Sequence, residues 1–320
     1  MTRLSSLESE RVRWGILFVV LPDATSPLIL GKTMTYSPTS MLYSQFEAQA
    51  VDYSPINAFC LAKAAQLAYS DSPAIDAQTK LWGFTKERVR FCEDQDTQAF
   101  VAANDQIVVL SFRGTTDRND WATNIGVAFK EETKIGKVHE GFLEALDCVW
   151  PRVMTTLDAF QDKNQSLWIT GHSLGGALAT LATARLRFGL KRPVAGLYTF
   201  GSPRAVDEAF ADTFNHDFKA QTFRLVHNND VVTRVPPRSF GYSHVGTFLY
   251  IDPKGRIHQD IRFWNNFLAN VQGRMSDFLK PGTDGFKDHD IAKYAKHLEN
   301  NLGKTPEVAV VRYGWIGTGD

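Results

Sequence analysis

Five residues in the middle of the chain, Gly171-His172-Ser173-Leu174-Gly175, have the types and spacing that turn an ordinary serine into a nucleophile. A hydroxyl attacks a carbonyl well only when it stands clear of its own backbone, beside an amide that can stabilise the developing oxyanion. Gly-x-Ser-x-Gly supplies both when it joins a strand to a helix through a turn too tight for side chains at the glycine positions. Alone the pattern decides little, because with glycine and serine each near ~7% of residues a chain of this length contains it by chance about one time in ten. Its context is more selective. An apolar run at 166–170 precedes it and an alanine-rich stretch at 177–188 follows. That setting turns the N–H of Leu174, at the helix N-terminus, toward an oxyanion. A second cluster, Asp288-His289-Asp290, contains metal-ligating residue types. It has no H-E-x-x-H or other spaced ligand set, so neither a metal nor an organic cofactor is expected.

Such a nucleophile needs a sheet beneath it. Residues 107–112 (IVVLSF) are short, β-branched and almost wholly apolar, as a strand covered on both faces should be, and 167–170, 197–200 and 223–227 look similar. Helical stretches are expected at 142–160 (with a kink or break at Pro151), 174–188 and 206–218. The middle one carries Arg185 and Arg187 in its last turn and Gly189 just beyond, a stop signal. Strands alternating with helices imply an α/β fold, a mostly parallel central sheet with helices on both faces. Upstream, 57–69 reads as an alanine-rich helix ended by Asp71, Ser72 and Pro73; downstream, 247–251, the turn Asp252-Pro253-Lys254-Gly255 and 256–261 suggest an antiparallel hairpin.

The chain has 320 residues, 43% hydrophobic and 22% charged, enough for one sizeable core. Lys plus Arg and Asp plus Glu are both 35, so no basic surplus points to nucleic acid. Oligomeric state is not specified by this composition. Cys60, Cys92 and Cys148 are scattered and odd in number, which favours free thiols over a disulfide framework. No apolar run approaches the ~18 residues of a membrane span. Residues 14–21 are apolar and follow Arg3, Arg11 and Arg13, but Glu8 and Glu10 dilute the charge and no cleavage site follows promptly. Residues 1–43 therefore read as an N-terminal extension or cryptic targeting segment ahead of a domain at 44–320. A cytoplasmic location is favoured over secretion.

Several motifs together carry a resemblance. Phe112-Arg113-Gly114-Thr115, Asp120-Trp121, Val138-His139-Glu140-Gly141-Phe142, the serine motif with Gly176, Thr199-Phe200-Gly201-Ser202-Pro203-Arg204, Asn229-Asp230 before Val235-Pro236-Pro237, and Asp288-His289 occur in that order. They resemble the class 3 (fungal-type) lipase family over about 55–300. The resemblance implies an α/β-hydrolase with a helical lid, and a triad in the order nucleophile, acid, base. It places the acid at Asp230. Six histidines follow Ser173: His216, His227, His244, His258, His289 and His297. Of these His244 and His289 remain as bases after order and predicted element are weighed, and the resemblance favours His289. It also implies that Thr115 joins Leu174 in the oxyanion hole.

By the same likeness the lid falls near 117–129, where Trp121, Ile125 and Ala128 make an apolar stripe at helical spacing. A second amphipathic stretch, 263–279, reads as a cleft wall, an interfacial anchor or ordinary core. The expected activity is carboxylic ester hydrolysis, foremost of triacylglycerol at a lipid–water interface. The alternatives are an esterase or phospholipase acting on other esters, and a lipase-like binding module without catalysis.

Overall fold

The computed structural model describes residues 42–116, 125–132, 134–259 and 284–306. Every side chain of β3 (Ile107–Phe112) is buried. Alternation sorts them, Val108, Leu110 and Phe112 into one core cluster and Ile107 and Val109 into another. Such a strand is covered on both faces. The same holds along most of β6 (Ser166–His172), β7 (Gly196–Phe200), β9 (Thr222–His227) and β11 (Thr247–Ile251). These strands run parallel through the centre of an eight-stranded sheet. β1 (Val89–Asp94) and β2 (Thr97–Ala103) pair antiparallel at one edge, and β12 (Ile257–His258) ends the other. The order is β1-β2-β3-β6-β7-β9-β11-β12.

On one face lie α3 (Glu140–Phe160), α4 (Leu174–Ala184) and α5 (Glu208–Phe218). On the other, α1 (Pro55–Leu67) and α7 (Ile291–Glu299), which follows the short α6 (Asp284–Asp288), pack around Trp168, Tyr198 and Phe200. Leu146 and Leu157 of α3 are fully buried. Truncating either to alanine would cost about 2–5 kcal/mol, a large share of a domain's net stability. A second, four-stranded sheet, order β10-β8-β5-β4, joins β10 (Tyr242–Ser243), β8 (Val206–Asp207), β5 (Gly136–His139) and β4 (Phe129–Glu132).

Several expectations are corrected. Asp71, Ser72 and Pro73 open a second helix, α2 (Ser72–Leu81), because the Asp71 carboxylate caps it by accepting from Ala74 N. The helix through Pro151 does not break. The proline lies on the exposed side, where water can serve the carbonyl that loses its N–H partner. The last turn expected at Arg185 and Arg187 is a π-turn, Arg185–Gly189. The 206–218 helix begins only at Glu208, capped by Asp207, while Val206–Asp207 pairs with β10. In the expected lid, residues 125–128 are irregular chain and Phe129 starts β4, so the helical stripe does not extend through Ile125 and Ala128. Trp121, residues 1–41 and the 263–279 stretch lie outside the described residues. Cys60 and Cys92 are buried free thiols.

Candidate active site

β6 ends at His172 and α4 starts at Leu174, which leaves Ser173 to make the whole turn. It does so at φ 59°, ψ −133°, a region that favours glycine and costs an L-residue about 1–3 kcal/mol. The surrounding packing enforces it. A Cβ at Gly171 would lie 2.1 Å from the Gly175 carbonyl oxygen, and one at Gly175 would lie 2.3 Å from that of Phe112 in β3. Ser173 N donates to the Phe200 carbonyl at 3.0 Å, tying the turn to β7. Ser173 is wholly buried, and its Oγ has no hydrogen-bond partner among the described residues. Leu174 is the first residue of α4, so its N–H belongs to the first turn, where amides have no partner within the helix. Thr115 follows Gly114, whose missing Cβ would sit 3.1 Å from Ser173 Cβ, so the loop after β3 lies against the serine turn.

Two further loops meet at this turn. Asp230 stands three residues past the end of β9, and His289 just ahead of α7. His289 Nδ1 lies 2.9 Å from Asp230 Oδ2 and 3.0 Å from Oδ1, with both residues fully buried. The carboxylate also accepts from Tyr294 O–H at 2.6 Å and Val232 N–H at 3.0 Å. Burial and the neighbouring Asp230 push the Tyr294 hydroxyl well above its usual range, which keeps it a donor. These bonds fix the carboxylate and direct Nδ1–H of His289 toward it, leaving Nε2 as the acceptor nitrogen. Nε2 is buried without a hydrogen-bond partner among the described residues, as is the serine oxygen. Gly201, at φ 58°, makes the approach possible: a Cβ there would lie 2.6 Å from Asp230 Oδ2 and 2.9 Å from His289 Nδ1.

The loop carrying His289 is held from below. Asp288 Oδ2 accepts from Asn228 Nδ2 at 2.8 Å and Asn229 N at 3.3 Å, and its carbonyl accepts from His227 Nδ1 at 3.0 Å. Asp290 caps α7 by accepting from Ala292 N. The residues of Asp288-His289-Asp290 thus serve three separate tasks. His244 is elsewhere: its Nε2 donates to the Thr233 carbonyl at 2.9 Å. Ile125 is half-buried against the core. The supporting roles of Tyr294 and Asp288 are not legible in the sequence. A tyrosine on the inner stripe of an amphipathic helix looks like core, and the pairing of Asp288 with Asn228 depends on a separation of 60 residues.

The family described as lipase (class 3) matches residues 109–240. A secreted mono- and diacylglycerol lipase of Malassezia restricta, LIP4, is 30% identical over 212 residues, which cover 62% of this chain and 68% of the relative. The chain belongs to the class 3 lipase family. A secreted mono- and diacylglycerol lipase of Fusarium solani shares 36% over 163 residues, 48% of this chain and 47% of the relative. A solved triacylglycerol lipase whose catalytic centre is a serine protease triad superposes with TM-score 0.52 at 27% identity, covering 61% of this chain and 80% of that one. The α/β-hydrolase fold follows from this likeness and from the sheet. The chain spans about half the length of several of the curated relatives it matches. Among the described residues no helix is long and apolar enough to cross a membrane.

These names correct one expectation. The sequence favours a cytoplasmic location, whereas matched relatives from Fusarium solani and Malassezia restricta are named secreted lipases. A short apolar run with diluted basic charge discriminates poorly between the two locations.

Proposed function

We propose that this chain is a carboxylic ester hydrolase acting on acylglycerols, triacylglycerol foremost, through an acyl-enzyme on Ser173. The observation that carries the reading is the buried Asp230–His289 pair, packed against the His172 ring that adjoins Ser173, with His289 Nε2 and the Ser173 hydroxyl each buried and without a hydrogen-bond partner among the described residues. Ser173 Oγ attacks the ester carbonyl as Nε2 of His289 takes its proton. Asp230 holds the tautomer and stabilises the imidazolium. The N–H groups of Leu174 and Thr115 receive the oxyanion. The imidazolium then protonates the leaving alcohol, and water, activated by the same nitrogen, releases the fatty acid. Ser173 and His289 are both fully buried, so substrate entry requires an opening, and we assign Trp121 and Ile125 to the cover. The likeness to proteins named mono- and diacylglycerol lipases favours a second reading, in which partial glycerides are the better substrates. The same names support export of the protein.

The test is hydrolysis of emulsified triolein, diolein and monoolein beside soluble p-nitrophenyl esters, with Ser173→Ala as control. A serine-directed phosphonate should label Ser173 and no other serine. Hydrolysis that survives Ser173→Ala sinks the assignment, and the glyceride giving the largest kcat/KM separates the two substrate readings.

A further inference from the structure

His172 immediately precedes the nucleophile, yet its ring points at the other side of the site. Its centroid lies 4.5 Å from that of His289, the planes inclined by 32°. Its Nε2 is 2.7 Å from the backbone carbonyl oxygen of His289. A carbonyl only accepts, so Nε2 carries the hydrogen. In the neutral ring Nδ1 is then bare, and it lies 2.8 Å from the hydroxyl of Tyr69, which donates to it. The chemistry of the two partners forces this tautomer.

Tyr69 comes just after the end of α1, and its N–H bonds back to the Gln66 carbonyl, which anchors it to a helix outside the site. Its oxygen also lies against the loop that bears Thr115: a Cβ on Gly114 would come within 2.2 Å of it. One directed line therefore runs from the Tyr69 hydroxyl through both nitrogens of His172 to the backbone of His289. It touches neither ring nitrogen of His289.

We infer that Tyr69 and His172 are positioning residues that together fix the backbone of His289 and hold the His172 ring as the neutral, Nε2-protonated donor. The inference rests on the Ser173–His289–Asp230 reading. Its physical need is clear in the first step. When His289 takes the serine proton, an imidazolium forms against the His172 ring. A second positive charge there would oppose it. Among the described residues the groups facing His172 include Tyr69 after α1, His289 ahead of α7 and Tyr294 within α7, whose ring centroid is 6.1 Å away. Asp230 reaches the cluster only through Tyr294 and His289. Among these groups the hydroxyl of Tyr69 is the one that occupies Nδ1.

The experiment uses the full chain and a soluble p-nitrophenyl ester, with melting temperature recorded for each variant. Tyr69→Phe should lower kcat about 5- to 10-fold with KM within about twofold, the size expected for losing one positioning hydrogen bond. It should also move the acid limb of the kcat profile to higher pH, since bare Nδ1 can then take a proton. His172→Gln keeps an amide donor for the carbonyl and cannot titrate. It should stay within about fivefold of the parent with the acid limb unmoved, whereas His172→Leu should lose about 30-fold or more. Adding Tyr69→Phe to His172→Gln should cost less than about twofold and shift no limb, because the pair acts as one unit. Parental kcat and pH profile in Tyr69→Phe overturn the relay. An equal loss from Tyr69→Phe in both backgrounds overturns it too, because Tyr69 would then act on the Gly114 loop alone. Should Tyr69→Phe melt too low to assay, His172→Gln against His172→Leu decides: equal losses reject the relay. Ser173→Ala separates the two layers of the argument. Its survival rejects the triad reading, while a dead Ser173→Ala beside an unaltered Tyr69→Phe rejects the relay only.

Discussion

His289 and His244 both follow Asp230 in the chain, and both satisfy the order expected of a catalytic base. Their surroundings differ. His289 faces two carboxylate oxygens at 2.9 and 3.0 Å, and its far nitrogen has no hydrogen-bond partner among the described residues. His244 is hemmed in by Arg224, Arg204 and Arg238. Burial, first, and these guanidiniums, second, push its pKa well below the usual histidine value, while its Nε2 donates to Thr233. The first ring has a carboxylate beside it, and the second has guanidiniums instead. A base is therefore defined by what surrounds the ring rather than by the ring.

The sharpest way to break this comparison is to remove each ring. His289→Ala should lower kcat by ~10³ or more, and Asp230→Asn by a similar factor through the wrong tautomer, with phosphonate labelling of Ser173 slowed in parallel. His244→Gln should stay within about threefold of the parent in the same assay. A reversed pattern would move the base to His244. Tyr294→Phe tests how far the carboxylate depends on its neighbours. Losing the 2.6 Å bond to Asp230 should cost about 10-fold in kcat, as one charge-assisted hydrogen bond would. No loss would mean that Val232 N and His289 suffice.

The smallest effect is on stability. The His244 pKa is depressed in the folded chain relative to the ordinary value of 6.5, so below 6.5 the unfolded chain takes up a proton that the folded chain refuses. Stability from keeping His244 neutral is complete above that pH and drains away as pH falls toward the folded value. His244→Gln should therefore show a smaller drop in Tm between about pH 7.5 and about pH 5 than the parent. The drop should shrink rather than vanish, because His139 and His297 are shifted the same way, chiefly by burial. An unchanged slope would show that His244 is not desolvated in solution.

The same contrast explains what could be read from residues alone. A strand such as 107–112 is almost wholly apolar on both faces, and burial on both faces leaves a composition visible without partners. β1 and β2 leave no such mark, because charges and alanines interrupt them and their turn centres on Gln95, at φ 49°, with no glycine to signal it. The strands of the second sheet have two to four residues, too short for any period to register. In the site, Ser173 announced itself because a strained turn demands glycines at fixed offsets. Asp230 and His289 needed the family resemblance, since Asn-Asp and Asp-His pairs are ordinary loop chemistry until distant strands bring them together. The bonds of Tyr294, His172 and Tyr69 span 64 to 117 positions and leave no local trace.

The backbone of Ser173 also sets activity against durability. Its φ of 59° belongs to glycine, so the nucleophile is held in tension by its neighbours. Ser173→Gly would release about 1–3 kcal/mol of that tension against about 0.5–1 kcal/mol from the freer unfolded chain. An inactive protein that melts a few degrees higher is expected, at roughly 2–4 °C per kcal/mol for a domain of this size. Selection for thermal endurance alone would thus erode the very residue that does the work, and only selection for turnover keeps the serine where it stands. A Tm at or below that of Ser173→Ala would show that the turn carries no such tension.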